Sequence, residues 1–248
     1  MQAFDPIIKA LRATVNQAMD NGQARCWSAG TAIDWPAAGP GDIVLMPDLA
    51  LELGHPDDAA LSFTMWTHNR QEVKDDAITL IGPDIKEADS NRLPFGKIVL
   101  AATDKGDDEL MYERYRQMDL ARFTLSLKGY MLRATSQYLR EWSRISRQAV
   151  QNGFSFQILG SALIRELKAI AGVNAVEVIF ITRSVQDVDA LKDAGIRVNR
   201  TIQAMHKMMD EMDPDCDSCE FQDVCGKASE LAALQRTLAA RGEGAVES

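Results

Sequence analysis

No stretch of this 248-residue sequence stays apolar for the roughly 18 to 20 residues that a helix needs to cross a bilayer. The most apolar segments, such as Val176 to Ile181 (VEVIFI), fall far short of it. The start, MQAFDPIIKALRATV, also lacks the basic-then-apolar layout of a secretory leader. Both absences point to a cytoplasmic protein without a membrane role. Basic residues are the scarcer charge, 27 against 36 acidic, and the net charge of −9 gives a field that repels phosphate backbones. Nucleic acid is therefore not an expected partner. Histidine is rarer still, and His55, His68 and His206 show no ligand spacing. Neither a P-loop, a Gly-x-Ser-x-Gly nor a dinucleotide fingerprint occurs, and Glu166 and Glu177 stand as lone carboxylates. Of only four cysteines, three lie within ten residues, unlike a secreted disulfide framework. In a reducing compartment such thiols read as ligands.

What is present has the periodicities of an α+β chain. Ile7, Ile8, Leu11, Val15 and Met19 repeat at three and four residues behind an Asp-Pro start, which predicts an amphipathic helix over 5–23. From Trp27 to Pro56 the chain is dense in Gly, Pro and Asp and reads as an irregular connection with one short strand candidate, Ile43 to Met46. Strands are expected at Ala60–Trp66, Ala77–Ile81 and Gly96–Ala102. Their short connections favour a mixed or antiparallel sheet packed with helices. A long helix is expected over 107–129, another starting near Ser143 or Ser146, and a third over 156–169. Val176–Ile181 reads as the best buried strand, Ser184–Asp193 as a Ser-capped helix, and Ile196–Met212 as a Met-striped helix leading to the cysteines. A short helix over 226–241 and a frayed end complete the chain. This divides it into an N-terminal segment 1–49, a core 50–195 and C-terminal helices 196–248.

Cys216, Cys219 and Cys225 form a C-x2-C-x5-C array whose thiolates can hold zinc or an iron–sulfur cluster. Three ligands leave one position open, and Cys26 is the remaining cysteine. One distant cysteine plus this array resembles the iron–sulfur staple of RecB-type nucleases, and the local spacing also occurs in auxiliary-cluster domains of radical enzymes. That spacing favours a [4Fe–4S] cluster on Cys26, Cys216, Cys219 and Cys225, with zinc as the alternative. Nuclease chemistry does not follow, since no Asp is followed by Glu-x-Lys on a strand; Glu166-Leu-Lys168 falls in a predicted helix. A clip from residue 26 to residues 216–225 would close a long loop and stabilise the fold by several kcal/mol. The acids Asp213, Asp215, Asp217, Glu220 and Asp223 would lower the potential of such a cluster, or simply solvate a surface loop.

Two stretches carry a family resemblance: ITLIGPDIKEADSNRLPFGKIVLAA from Ile78, and WSRISRQAVQNGFSFQILGSALIRELK from Trp142. They resemble the central domain of the CO-methylating acetyl-CoA synthase, the β subunit of the CO dehydrogenase/acetyl-CoA synthase complex. In that family a strand ends in the same Gly-Pro-Asp-Ile, and a Trp-x-Arg-Ile-Ser segment precedes a helix. Leu51 to His55 falls where the family has an extended segment ending in Gly. The resemblance covers roughly residues 50 to 195 and implies the same α+β fold. The family's nickel site uses a longer four-cysteine array and a later Cys-Gly-Cys, and this chain has neither. Acetyl-CoA synthesis by the chain alone is not expected.

The family's coenzyme A region corresponds to Arg133–Tyr138 here, without the family's Trp, and Arg140, Arg144 and Arg147 are the candidate cofactor-binding patch for an anionic ligand. Arginines so spaced on a helix are more often a solvated face than a site. Two functions remain open. One is an iron–sulfur interaction or electron-transfer module working with a corrinoid or methyl-transfer protein. The other is an enzyme that binds a small acyl or methyl donor, or coenzyme A, with the cluster as redox centre or Lewis acid. A zinc-stapled structural subunit is the plainer alternative, and the sequence leaves homo-oligomerisation open.

Overall fold

Hydrophobic pattern and strand pairing agree best in the centre of the molecule. A computed structural model describes residues 4–32, 34–44, 46–136, 139–210, 220–221 and 223–224. Two sheets are formed. The larger contains β1 (Ala24–Ser28), β3 (Ala60–Thr67), β4 (Ala77–Ile81), β6 (Phe95–Thr103) and β9 (Val173–Ile181) in the order β1-β4-β9-β6-β3. The smaller contains β2 (Ala50–Leu53), β5 (Arg92–Leu93), β7 (Tyr130–Ser136) and β8 (Arg140–Ser146) in the order β5-β2-β8-β7. The expected mixed pairing is observed, with β3 parallel to β6, β4 parallel to β9, and β6 antiparallel to β9.

β6 and β9 are buried almost throughout, which is why they read as continuous apolar runs rather than as alternating strands. Phe95, Phe156 and Phe180 stack at their centre with ring centroids 4.9 to 6.1 Å apart. Complete burial of each contributes about 1.5–3 kcal/mol.

Among the described residues six α-helices cover the sheets. α1 (Asp5–Asp20), with Pro6 in its first turn, buries Ile8, Leu11, Val15 and Ala18, one stripe of a 3.6-residue period. α4 (Phe156–Lys168) lies so close to β4 that a Cβ on Gly160 would meet Ile78 at 2.9 Å. Ile78 and Ala77 point to opposite faces, and Glu177, level with Ala77 in the register, meets Arg12 of α1. α1 and α4 therefore cover opposite faces of the larger sheet. α2 (Asp108–Thr124) is capped by Asp107, α3 (Arg147–Gln151) by Ser146 and α5 (Val185–Asp189) by Ser184. α6 (Lys192–Asp210) runs beside β3, with Gly195 against Leu61 and Phe63. No helix among the described residues is long and apolar enough to cross a membrane.

Three expectations change. Ile43, Val44 and Met46 belong to no strand: Ile43 and Met46 are 60% exposed, so this apolar run has no sheet to join. The supposed irregular segment takes up the end of β1, whose Trp27 and Ser28 pair with β4, and all of β2, which pairs with β8. Of the two helix starts expected, Ser146 is the observed one, capping α3 at Arg147, whereas Ser143 lies within strand β8 together with Arg140 and Arg144. The predicted helix over 226–241 and Met212 lie outside the described residues.

The Gly-Pro-Asp-Ile motif has a structural role. Gly82, at φ +116°, passes so close to Arg183 that a Cβ would meet its backbone nitrogen at 2.4 Å. Asp84 is buried and accepts hydrogen bonds from the amides of Ile85 (2.8 Å) and Phe156 (3.0 Å), so one carboxylate ends the β4 turn and starts α4. Asp84→Ala should cost about 2–3 kcal/mol in chemical denaturation, because two buried amides lose their acceptor. A cost below 0.5 kcal/mol would show that water replaces it.

Beside it, Arg25 donates to both oxygens of Glu87 and holds that carboxyl at about 2, against an ordinary 4.5. A depressed folded value means the contribution is present above pH 4.5 and fades as pH falls toward 2. Both side chains are about 40% exposed, so the pair is worth at most roughly 1 kcal/mol. Arg25→Ala should flatten the acid limb of the stability profile slightly, and an unchanged limb would refute the pairing.

Candidate active site

Lys97 is the only charge on β6, and register sets it beside Ser62 of β3 and Phe180 of β9. An ammonium buried this deeply requires a partner. It donates to Oε2 of Glu141, whose side chain reaches across from β8 of the smaller sheet. Ser62 Oγ donates to the same oxygen at 3.3 Å, and the Ser62 amide meets the Leu139 carbonyl at 2.6 Å. This junction joins the two sheets through one buried ion pair.

From α2, Arg122 approaches Glu141 at 3.8 Å and donates to Asp119 at 2.8 Å, while its buried Nε has no hydrogen-bond partner among the described residues. A cavity of about 240 Å³ opens over Lys97, between the sheet and helices α2, α4 and α6. Val99, Met118 and Leu163 give it an apolar wall; Tyr115, Thr135 and Asn199 bring polar groups to it.

Burial pushes Lys97 down from its ordinary value, opposed by Glu141 and reinforced by Arg122. Burial also raises the Tyr115 phenol to about 12, which keeps it a hydrogen-bond donor at neutral pH. A charge set apart from water, next to a cavity with convergent polar groups, is the arrangement expected of a reaction site.

The arginine patch is dispersed over strand and helix start. Arg140 donates to the carbonyls of His55, Pro56 and Asp58 at 2.5–3.1 Å. Arg144 is buried, donates to Glu52 at 2.5 Å and stacks on Trp142. Arg147, exposed at the start of α3, donates to Asn91 at 3.0 Å. Each guanidinium is thus engaged by a different part of the protein. Arg133 also lies over the Trp142 ring, so two cations meet one indole.

Glu166 and Glu177 are not lone: Thr124 donates to the first at 3.0 Å, and Arg12 and the Lys74 amide to the second. The histidines are local, His55 beside Glu52 and Asp57, His68 on the Thr103 carbonyl and His206 stacked on Tyr112.

Cys216, Cys219 and Cys225 lie outside the described residues. Cys26 stands exposed on edge strand β1. It shares one row across the sheet with Thr79, Ile179, Ile98 and Phe63, four strand spacings or about 19 Å from β3. Glu220 and Asp223, within the array's span, are instead held by Arg200 of α6, each at 2.7 Å. Among the described residues no cluster of three His, Cys, Asp or Glu is arranged to hold a metal ion.

Sequence reading missed Lys97, Glu141 and Arg122. The available signal was a single lysine inside the apolar run FGKIVLAA, a position where an unpaired charge is untenable.

Residues 32–188, more than half of the chain, match the family model of the CO dehydrogenase/acetyl-CoA synthase complex beta subunit. The carbon monoxide dehydrogenase/acetyl-CoA synthase subunit alpha of Moorella thermoacetica is 30% identical over 139 residues, 55% of this chain and 18% of that protein. The chain therefore spans under a fifth of that relative's length. The matched region contains the Lys97 cavity's principal groups and none of the four cysteines.

Proposed function

Because the chain belongs to the CO dehydrogenase/acetyl-CoA synthase complex beta-subunit family, we propose that it serves one-carbon metabolism as an iron–sulfur accessory module. In this reading Cys216, Cys219 and Cys225 hold a [4Fe–4S] cluster, and the protein docks to or exchanges electrons with a corrinoid or methyl-transfer protein. The family match over 32–188 carries the proposal, together with a soft-ligand array that lies beyond it. Cys26 remains the candidate fourth ligand that the sequence offers, but it stands exposed on β1, at the edge of the larger sheet opposite β3 and α6, so this reading rests on the other three.

Anaerobically purified protein tests this reading. It should contain iron and acid-labile sulfide in equal amounts and show a signal on dithionite reduction. Cys219→Ser should lose both, and Cys26→Ser should keep both. Zinc alone, or no metal, would overturn the cluster. Loss of iron in Cys26→Ser would restore the four-cysteine set, and a redox-silent cluster without a corrinoid partner would remove the accessory role.

A further inference from the structure

Beyond any cluster, the Lys97 cavity has a chemistry of its own. Two cations, Lys97 and Arg122, face two carboxylates, Glu141 and Asp119, so the charges already balance and the space does not call for an ion. Hydrogen-bond donors are in surplus: Arg122 Nε lacks a partner among the described residues, and the Tyr115 phenol and Asn199 amide line the same space. A neutral ligand with an acceptor oxygen suits such a site. At about 240 Å³ the cavity lies below the range of drug-sized pockets and fits a molecule of a few heavy atoms.

We propose that Lys97 is a carbonyl-reactive lysine, whose amine condenses with a small neutral aldehyde or ketone bound in this cavity. Glu141, hydrogen-bonded to the ammonium, takes its proton. The freed nitrogen lone pair attacks the carbonyl carbon, the C–N bond forms as the C=O π bond opens, and Glu141 returns the proton to the oxygen. A second proton passes from the nitrogen to that oxygen by way of Glu141, the C–O bond breaks to release water, and a protonated imine remains paired with the Glu141 carboxylate; no oxidant or reductant is consumed. Arg122 Nε supplies a donor for the carbonyl oxygen as charge builds on it. Burial and the neighbouring Arg122 favour the neutral amine, the state that attacks.

Propionaldehyde with cyanoborohydride at neutral pH, followed by digestion and mass spectrometry, tests the proposal on the full chain. Trapping should modify Lys97 at least ten-fold faster than the exposed Lys9, Lys86 and Lys105. Asn199→Phe from α6 and, independently, Thr135→Phe from β7 fill the cavity without removing a charge. Either variant, once shown folded by circular dichroism, should abolish the Lys97 adduct and leave the exposed lysines unchanged. An unmodified Lys97 in the natural protein would overturn the proposal. So would undiminished labelling in both folded variants, since the reaction would then run through local opening. Neither result bears on the cluster.

Discussion

Lys97→Met should lower the unfolding free energy by about 3–5 kcal/mol, because it leaves Glu141, 1% exposed, without its buried counter-ion. Arg122 at 3.8 Å limits the damage but is already engaged by Asp119. The double variant Lys97→Met/Glu141→Leu should recover most of the loss, since two apolar side chains of similar volume need no partner. Denaturant melts of the natural protein, both single variants and the double variant form the required cycle. A single-variant cost below 1 kcal/mol would mean that water reaches the pair. Its pH dependence gives a second signature. The folded value of Lys97 is depressed, so between that value and 10.5 the unfolded chain binds more protons and stability rises with pH. That rise should be absent from Lys97→Met.

The elements that were legible in the sequence are those whose burial is uniform. Ala77–Ile81 is buried at every position, and α4 presents one apolar stripe between a Ser cap and a basic last turn. β7 and β8 escaped because they alternate apolar residues with arginines and a glutamate whose partners lie in distant elements. Arg144 meets Glu52, and Glu141 meets Lys97 forty-four residues away. No local periodicity encodes a pairing of that range, and Trp142 and Arg144 read equally well as a helix face. β1 escaped for the opposite reason: ARCWS is half exposed at a sheet edge, where β4 alone fixes its conformation. The site follows the same logic. Cysteine spacing can be read from the sequence alone, whereas a cavity assembled from three strands and three helices becomes visible only when the register is known.

Arg12→Ala should be comparably severe, at about 3–5 kcal/mol, although Arg12 lies on a surface helix. Glu177 is fully buried on β9, the middle strand of the larger sheet, and Arg12 reaches it with both terminal nitrogens while also donating to the Glu72 carbonyl. Removing the guanidinium leaves the carboxylate, among the described residues, the Lys74 amide at 2.9 Å. Arg12→Lys should retain part of the stability, since one ammonium can hold one oxygen but cannot span the carboxylate and the carbonyl together. The pair also decides how α1 opens. Ile8, Leu11 and Val15 would still bury their stripe in Arg12→Ala, but the polar link to β9 would be gone. Amide exchange should therefore quicken in α1 before it quickens in β4 or β6. Uniform acceleration across the sheet would show instead that α1 and the sheet open as one unit, with Glu177 holding both.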